Sequence, residues 1–394
     1  MTMTETQTPQ REASRAPLWR RSTLLRHACF AVLGLLGFWL LSIALDPFAN
    51  LQLAQIAYTA IAVAGLTVLS GLSGQISLGH GAFVAVGAYT AALLLENAEW
   101  SLAPVLVVAT AGTALVGTLV GVAAARLRGP YLAGATLALA VGLPSLADYH
   151  GLRDLLGGAN GLIVSPPVPP LSLGETFPLE RWQSWICGIC LVVVLFLLAN
   201  LSRSRLGRDM RLVREDEDAA ALSGVHVART QILAFCVSAG CAGLAGGLFA
   251  IVNNLAAPGA FTLALSLSLL TAAVLGGLGS LAGAVYGAVI VTLLPNWSTD
   301  LAQQADLPRA VYANIPLVLY GLVLILVILA FPGGIQSGVR RIGRLLRRNR
   351  KNRRRRDGPV QTPARGGRAH RGARAHLDRV RRWRFGRRQH ARRD

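Results

Sequence analysis

Between Cys29 and Asn200, 172 residues carry only four basic side chains: Arg126, Arg128, Arg153 and Arg181. A charge at the centre of a bilayer costs about 2.5–3.5 kcal/mol on insertion scales, so charge-free apolar runs of about 20 residues read as membrane-crossing helices. The whole chain is 53% hydrophobic and only 15% charged, which excludes an ordinary soluble domain. The expected fold is therefore all-α and polytopic. Ten crossings are expected, at about 28–46, 53–72, 80–95, 103–125, 131–149, 184–201, 230–252, 264–277, 281–297 and 313–331. The first run lacks a small-residue cleavage site and reads as an anchor.

The basic residues orient this array. With the N-terminus inside, 36 of the 39 Lys and Arg fall on the inner side, leaving Arg153, Arg181 and Arg309 outside. Without the two tails the ratio is still 8 to 3. Both termini are thus expected to be cytoplasmic. The layout is a polar tail (1–27), a transmembrane domain (28–338) and a basic tail (339–394), both tails being read as disordered. RRNRKNRRRR (Arg347–Arg356) suits anionic lipid or plain disorder better than nucleic acid, since no folded recognition module accompanies it.

One charged stretch interrupts the apolar pattern. Residues 202–229 run from Arg203, Arg205, Arg208, Arg211 and Arg214 into Glu215, Asp216, Glu217 and Asp218, then three alanines and, after Leu222 and Ser223, Gly224. Acids in front and glycine behind mark a short helix, because acids complement the positive end of the helix dipole and glycine accepts the left-handed turn that ends it. It reads either as a helix shown to a soluble partner or as a solvated loop obeying the positive-inside rule.

Gly71–Tyr89 reads GLSGQISLGHGAFVAVGAY. Gly71, Gly74, Gly79 and Gly81 alternate with polar Gln75, Ser77 and His80. Non-helical backbone at membrane depth is tolerated only against protein or a water-filled path. The segment is either a helix break beside a translocation path, followed by a tightly packed helix, or ordinary packing with a cytoplasmic turn. His80 reads as a residue at the membrane edge. On the outside, the loop 150–183 holds GGANGL, with Gly157, Gly158, Asn160 and Gly161, and then PPVPP. VLSGLSG from Val68 and VLGGLGS from Val274 resemble each other and hint at duplicated halves.

Several chemistries are disfavoured. Cys187 and Cys190 form a C-x-x-C within an apolar run with no histidine nearby, so packed residues are the better reading than a metal or redox site. No catalytic constellation lies in the spans. The one lysine, Lys351, sits in the arginine run, so there is no phosphate-binding G-x-x-x-x-G-K-[ST] loop. Nor do the spans hold the acids and bases of an ion-coupled carrier. No cofactor is expected, and energy must come from outside the chain.

GLSGQISLGHGAFVAVGAYTAALL (Gly71–Leu94) resembles the signature of the inner-membrane permease subunits of bacterial branched-chain amino acid ABC transporters, the M-type in particular. GGANGL, GRDMRLVREDEDAAALSGVHVARTQILAF (Gly207–Phe235), LTAAVLGGLGSLAGAVYGAVI (Leu270–Ile290) and GLVLILVILAFPGGI (Gly321–Ile335) fit it in order. The resemblance covers about 28–338. It implies a transport subunit of the bacterial inner membrane that is not itself an enzyme. It also implies a second permease subunit, a homologue or a second copy, with two cytoplasmic ATPases and a periplasmic binding protein. Asp218-Ala219-Ala220, three residues and Gly224 resemble the E-A-A-x-x-x-G loop that docks on the ATPase, with aspartate in place of glutamate and no later I-x-L-P. On this reading Arg211, Arg214, Glu215, Asp216, Glu217, Asp218 and Gly224 belong to the docking loop. The resemblance points to leucine, isoleucine and valine as cargo, while related permeases carry urea, short amides or other amino acids. A channel or facilitator acting alone is the competing reading.

Overall fold

The computed structural model describes residues 23–304 except 98, 99, 128, 129, 148 and 175, together with 318, 321, 322, 325, 326, 329, 333–338 and 341. The expected tenth crossing and the basic tail lie outside the described residues or touch them only at isolated positions; of the N-terminal tail, expected as disordered to residue 27, residues 23–27 are described and are helical, the first turns of α1. The described residues belong to a unit that ends at Arg341.

The chain is mostly helical. Among the described residues nine long helices follow in order: α1 (Thr23–Ala44), α2 (Pro47–Leu66), α3 (His80–Asn97), α4 (Leu102–Ala124), α5 (Pro130–Ala147), α6 (Leu179–Arg203), then, after two short helices, α9 (Val227–Asn253), α10 (Leu263–Gly276) and α11 (Leu281–Gln304). The short pair is α7 (Arg205–Glu215) and α8 (Glu217–Leu222). Among the described residues seven helical segments are long and apolar enough to cross a membrane, with His80–Glu96 and Tyr131–Ala147 as shorter apolar helices. The first nine expected crossings each overlap one of these segments.

The largest difference among the helix starts is at α2, which begins six residues before the expected 53. Asp46 caps it, its carboxylate accepting the Ala49 N–H at 2.9 Å, and Pro47 sits at the first position, where its missing N–H costs nothing. Asn50, polar and fully buried, fits because its amide donates to the Ser42 carbonyl at 3.0 Å and its oxygen accepts from the Ser42 hydroxyl. Trp185 of α6 closes the same knot by donating to that hydroxyl at 3.0 Å.

The core is built around α9 and α2, which are buried over 78% and 72% of their apolar windows. α9 packs on α4, α3 and α2, and α2 packs also on α6 and α11. Small residues make the crossings close. A Cβ on Gly246 would stand 1.9 Å from the Val84 carbonyl, and one on Gly87 would stand 2.1 Å from that of Gly243. Where no water competes, such close packing replaces the hydrophobic drive. α10 and α11 form a tight hairpin: a Cβ on Gly287 would meet the Ala272 carbonyl at 1.9 Å. α1 is the outlier, buried over only 6% of its window and packed chiefly on α6.

The loop before α6 is ordered by turns at Arg153–Leu156 and Gly158–Asn160 and by a strand, β1 (Leu162–Ile163). β1 pairs antiparallel with β2 (Leu255–Ala256), just past α9, in the register Leu162↔Ala256 and Ile163↔Leu255. The proline run follows without helix or strand, and α6 starts at Leu179, five residues before the expected 184.

Candidate functional site

α7 and α8 form a charged hairpin at the end of α6. Ser204 opens α7, its hydroxyl accepting the Gly207 N–H at 3.3 Å. Gly207, Met210 and Val213 are buried at a spacing of three and pin α7 to the membrane domain. Gly207 is required there, because a Cβ would stand 2.4 Å from the Leu201 carbonyl. Arg211 of α7 reaches back and donates to the Ser202 carbonyl at 2.9 Å.

The acids do not form one block at the head of one helix, as the sequence suggests. Glu215 ends α7, Asp216 turns extended at φ −160°, and only Glu217 and Asp218 open α8. The break follows from Asp216, whose carboxylate accepts the Asp218 and Ala219 N–H groups at 2.9 and 3.0 Å and so starts a new helix. Gly224 ends the segment at φ +84°, with open space where a side chain would go. α8 is tied behind to α9, where Gln231 donates to Glu217 at 2.9 Å.

The outer face of α8 presents Glu217, Asp218, Ala219, Ala221 and Leu222. Leu222 is 91% exposed, the most exposed large apolar side chain among the described residues. Sequence reasoning passed it over. The signal available was an apolar residue in the last turn of an otherwise acidic helix.

Arg214 joins this hairpin to the glycine-rich segment. After Leu66 the helix α2 widens into a π turn, Thr67–Leu72, and then leaves helical geometry until His80. The end of a helix leaves carbonyls without partners and gathers negative dipole charge. Arg214 donates to one of these, the Gly71 carbonyl. A cation at such a terminus contributes about 0.3–1 kcal/mol when solvent-exposed. Gly74, at φ +77°, leaves room for it, since a Cβ would stand 2.8 Å from the Arg214 Cγ.

The two similar sequence segments meet at the same point. A Cβ on Gly71 would stand 2.3 Å from the Gly279 nitrogen, and one on Gly334 would stand 2.3 Å from the Gly277 Cα. Three chain passages thus touch backbone to backbone beside Arg214.

The rest of the segment is held by buried hydrogen bonds. The Leu78 N–H donates to Thr136 at 3.1 Å and the Gly81 N–H to Ser266 at 3.0 Å. Gly79 lies against the Thr136 carbonyl, where a Cβ would be 2.3 Å away. Ser77 is fully buried, and Gln75 is buried with its side-chain carbonyl unpartnered. His80, the first residue of α3, is fully buried, donates through Nε2 to the Ala62 carbonyl at 3.0 Å and stands edge-on to Phe83. The sequence reading missed this because the polar residues around His80 turn inward, against α2 and α5.

GGANGL lies at the far end of α9 from the charged hairpin, the 27 residues of α9 spanning about 40 Å. Gly157 and Gly161 hold φ +74° and +73°, and a Cβ on Gly161 would stand 2.4 Å from the Ala256 carbonyl. Gly158 is buried and Asn160 exposed. The site residues therefore fall into two groups. The docking-loop and Gly71–Gly81 residues come together through Arg214, and GGANGL stands apart from both. Among the described residues no three His, Cys, Asp or Glu side chains gather as a metal site, and all five cysteines are free.

A family model for the branched-chain amino acid transport system permease component matches residues 50–328. The chain belongs to this permease family. The permease is similar to the high-affinity branched-chain amino acid transport system permease protein LivM of Escherichia coli K12, 34% identical over 250 residues, 58% of each chain. It thus spans little more than half the length of that relative. It is also similar to LivH of the same strain (27% over 294 residues; 71% of this chain, 90% of LivH) and to the autoinducer 2 import system permease protein LsrC of Enterobacter sp. 638 (30% over 301 residues; 71% and 84%). No solved structure matches the permease. The family match runs from within α2 past the charged hairpin and α11, so Arg214, Gly71 and Gly279 all lie inside it.

Proposed function

We propose that the permease is a membrane-spanning subunit of an ATP-driven importer in a bacterial inner membrane, with branched-chain amino acids as cargo. Ten crossings with both termini cytoplasmic are the arrangement that its charge distribution favours. Two cytoplasmic ATPase subunits would hydrolyse ATP, a second permease subunit would complete the path, and a periplasmic binding protein would deliver cargo. Similarity of this one chain to both LivM and LivH supports a homologous second permease.

The observation that carries this reading is the hairpin α7–α8. It faces outward with Leu222 and a row of acids, and inward with Arg214 on the Gly71 carbonyl. An exposed leucine ringed by charges is what a docking helix offers a soluble partner. A load applied to α8 is passed to the π turn of α2 through Arg214 and to α9 through Glu217–Gln231. A stand-alone facilitator has no use for such a hairpin.

In a complex reconstituted with its ATPases, Leu222→Asp and Asp218→Lys are each expected to lower substrate-stimulated ATP hydrolysis at least tenfold while the subunit stays in the membrane. Unchanged stimulation rejects docking at α8, and uphill transport by the purified chain without an ATPase rejects the reading as a whole. A second cargo has specific support: LsrC, named for autoinducer 2 import, is 30% identical, close to the 34% of LivM. Which ligand protects the binding protein encoded beside this gene against heat separates the two.

A further inference from the structure

Two cavities beside α1 are used by nothing above. The first, of about 300 Å³, is apolar and lined by Phe30 and Gly34 of α1 and by Val192 and Phe196 of α6. The second, of about 270 Å³, is polar and lined by Thr67, Ser202, Arg203, Ser280 and Gln336. They are adjacent, with His27, Ala199, Leu281 and Ala282 lining both. Each is near the lower end of the size range of small-molecule sites, about 300–1,000 Å³.

We infer that together they form one binding site for an anionic phospholipid, with an acyl chain along the apolar cavity and the headgroup phosphate in the polar one. The placement along the helices gives the amphiphile its direction. Arg203 is the last residue of α6, and Val192, eleven residues earlier, lies about 16 Å deeper along the helix. The polar cavity is thus at the membrane edge on the basic side of the chain, and the apolar one extends toward the bilayer centre.

Charge selects the headgroup. Arg203 lines the polar cavity with no carboxylate paired to it among the described residues, and Arg211 is bonded to Ser202, another lining residue. No Asp or Glu lines either cavity among the described residues. A zwitterionic amino acid would need an acid for its ammonium group, whereas a phosphate monoanion does not. Two further polar atoms await a partner there: the Thr67 hydroxyl, on a residue only 2% exposed, and the Gln336 side-chain carbonyl. A hydroxyl-bearing headgroup such as glycerol can donate to that carbonyl and accept from that hydroxyl. The apolar cavity borders α1, the least buried helix, so an acyl chain can enter sideways from the bilayer.

Native mass spectrometry of the full chain, with whatever subunits co-purify, from nanodiscs of mixed phosphatidylglycerol and phosphatidylethanolamine tests this. One phosphatidylglycerol per chain should survive delipidation in preference to phosphatidylethanolamine. Arg203→Gln should lower its retention at least fivefold and Arg203→Lys should preserve it. Gly34→Phe should fill the apolar cavity and displace the lipid, since a Cβ there meets nothing within 4 Å. Gly37→Phe, equally open on the same helix but outside the cavity, should leave retention unchanged. Equal retention of the two lipids, indifference to both Arg203→Gln and Gly34→Phe, or a second copy or partner subunit cross-linked into the groove would each overturn the site.

Discussion

Two glycine turns at opposite ends of α9 use one device and differ in what closes it. At the inner turn, Gly71 presses on Gly279; at the outer, Gly161 presses on Ala256. In both, backbone meets backbone where no side chain fits. The outer turn is locked by the chain's own ladder, Leu162↔Ala256 and Ile163↔Leu255, extended by the Val164 N–H on the Asn254 carbonyl at 3.0 Å. The inner turn has no ladder. Its closing contact is Arg214, a side chain on an exposed hairpin. A partner that moves the hairpin can therefore move the inner turn, while the outer one stays fixed to α9. The difference teaches where a signal can enter.

The largest effect should fall on both turns alike. Gly71→Val and Gly161→Val force a side chain to within about 2.4 Å of backbone, and at Gly161 also demand φ +73° of a β-branched residue. Overpacking costs about 1–3 kcal/mol, occasionally more. Each variant should lower the midpoint of thermal unfolding in detergent by several degrees or fail to accumulate. If Gly71→Val unfolds with the native midpoint, the inner contact is not the close one described.

The second prediction separates the turns. Arg214→Gln should leave the thermal midpoint within a few degrees, because an exposed cation at a helix end contributes only about 0.3–1 kcal/mol. The ratio of substrate-stimulated to basal ATP hydrolysis in the complex should nevertheless fall several-fold, and Arg214→Lys should restore part of it. A ratio that moves only in step with protein stability would make Arg214 a structural brace and erase the contrast.

The legible and illegible parts divide along the same line. Apolar runs without charge were enough to place nine helices, because in a membrane the chain can satisfy its backbone only by helix formation. Acids followed by Gly224 were enough to place α8. The burial of polar side chains was not legible: Asn50 and His80 are partnered by Ser42 and Ala62, which come from other helices. The Arg214 junction was also out of reach. It joins positions 143 residues apart, and neither the π turn nor the free Gly71 carbonyl has a signature in local spacing.

The smallest effect should come from the second tie of the hairpin. Gln231 donates to Glu217 at 2.9 Å, across 14 residues, at a partly buried point between α8 and α9. Gln231→Leu removes the donor without adding bulk, and Glu217 is exposed enough to turn to water, so the loss is about 0.5–1.5 kcal/mol at most. If Arg214 is the main transmitting contact, Gln231→Leu should reduce ATPase stimulation less than twofold. Combined with Arg214→Gln, it should bring stimulation to background, because the hydrogen bonds from the hairpin to the π turn and to α9 are then both gone. A single Gln231→Leu change as damaging as Arg214→Gln would show that α9 shares the transmission equally and that the inner turn is not the principal recipient.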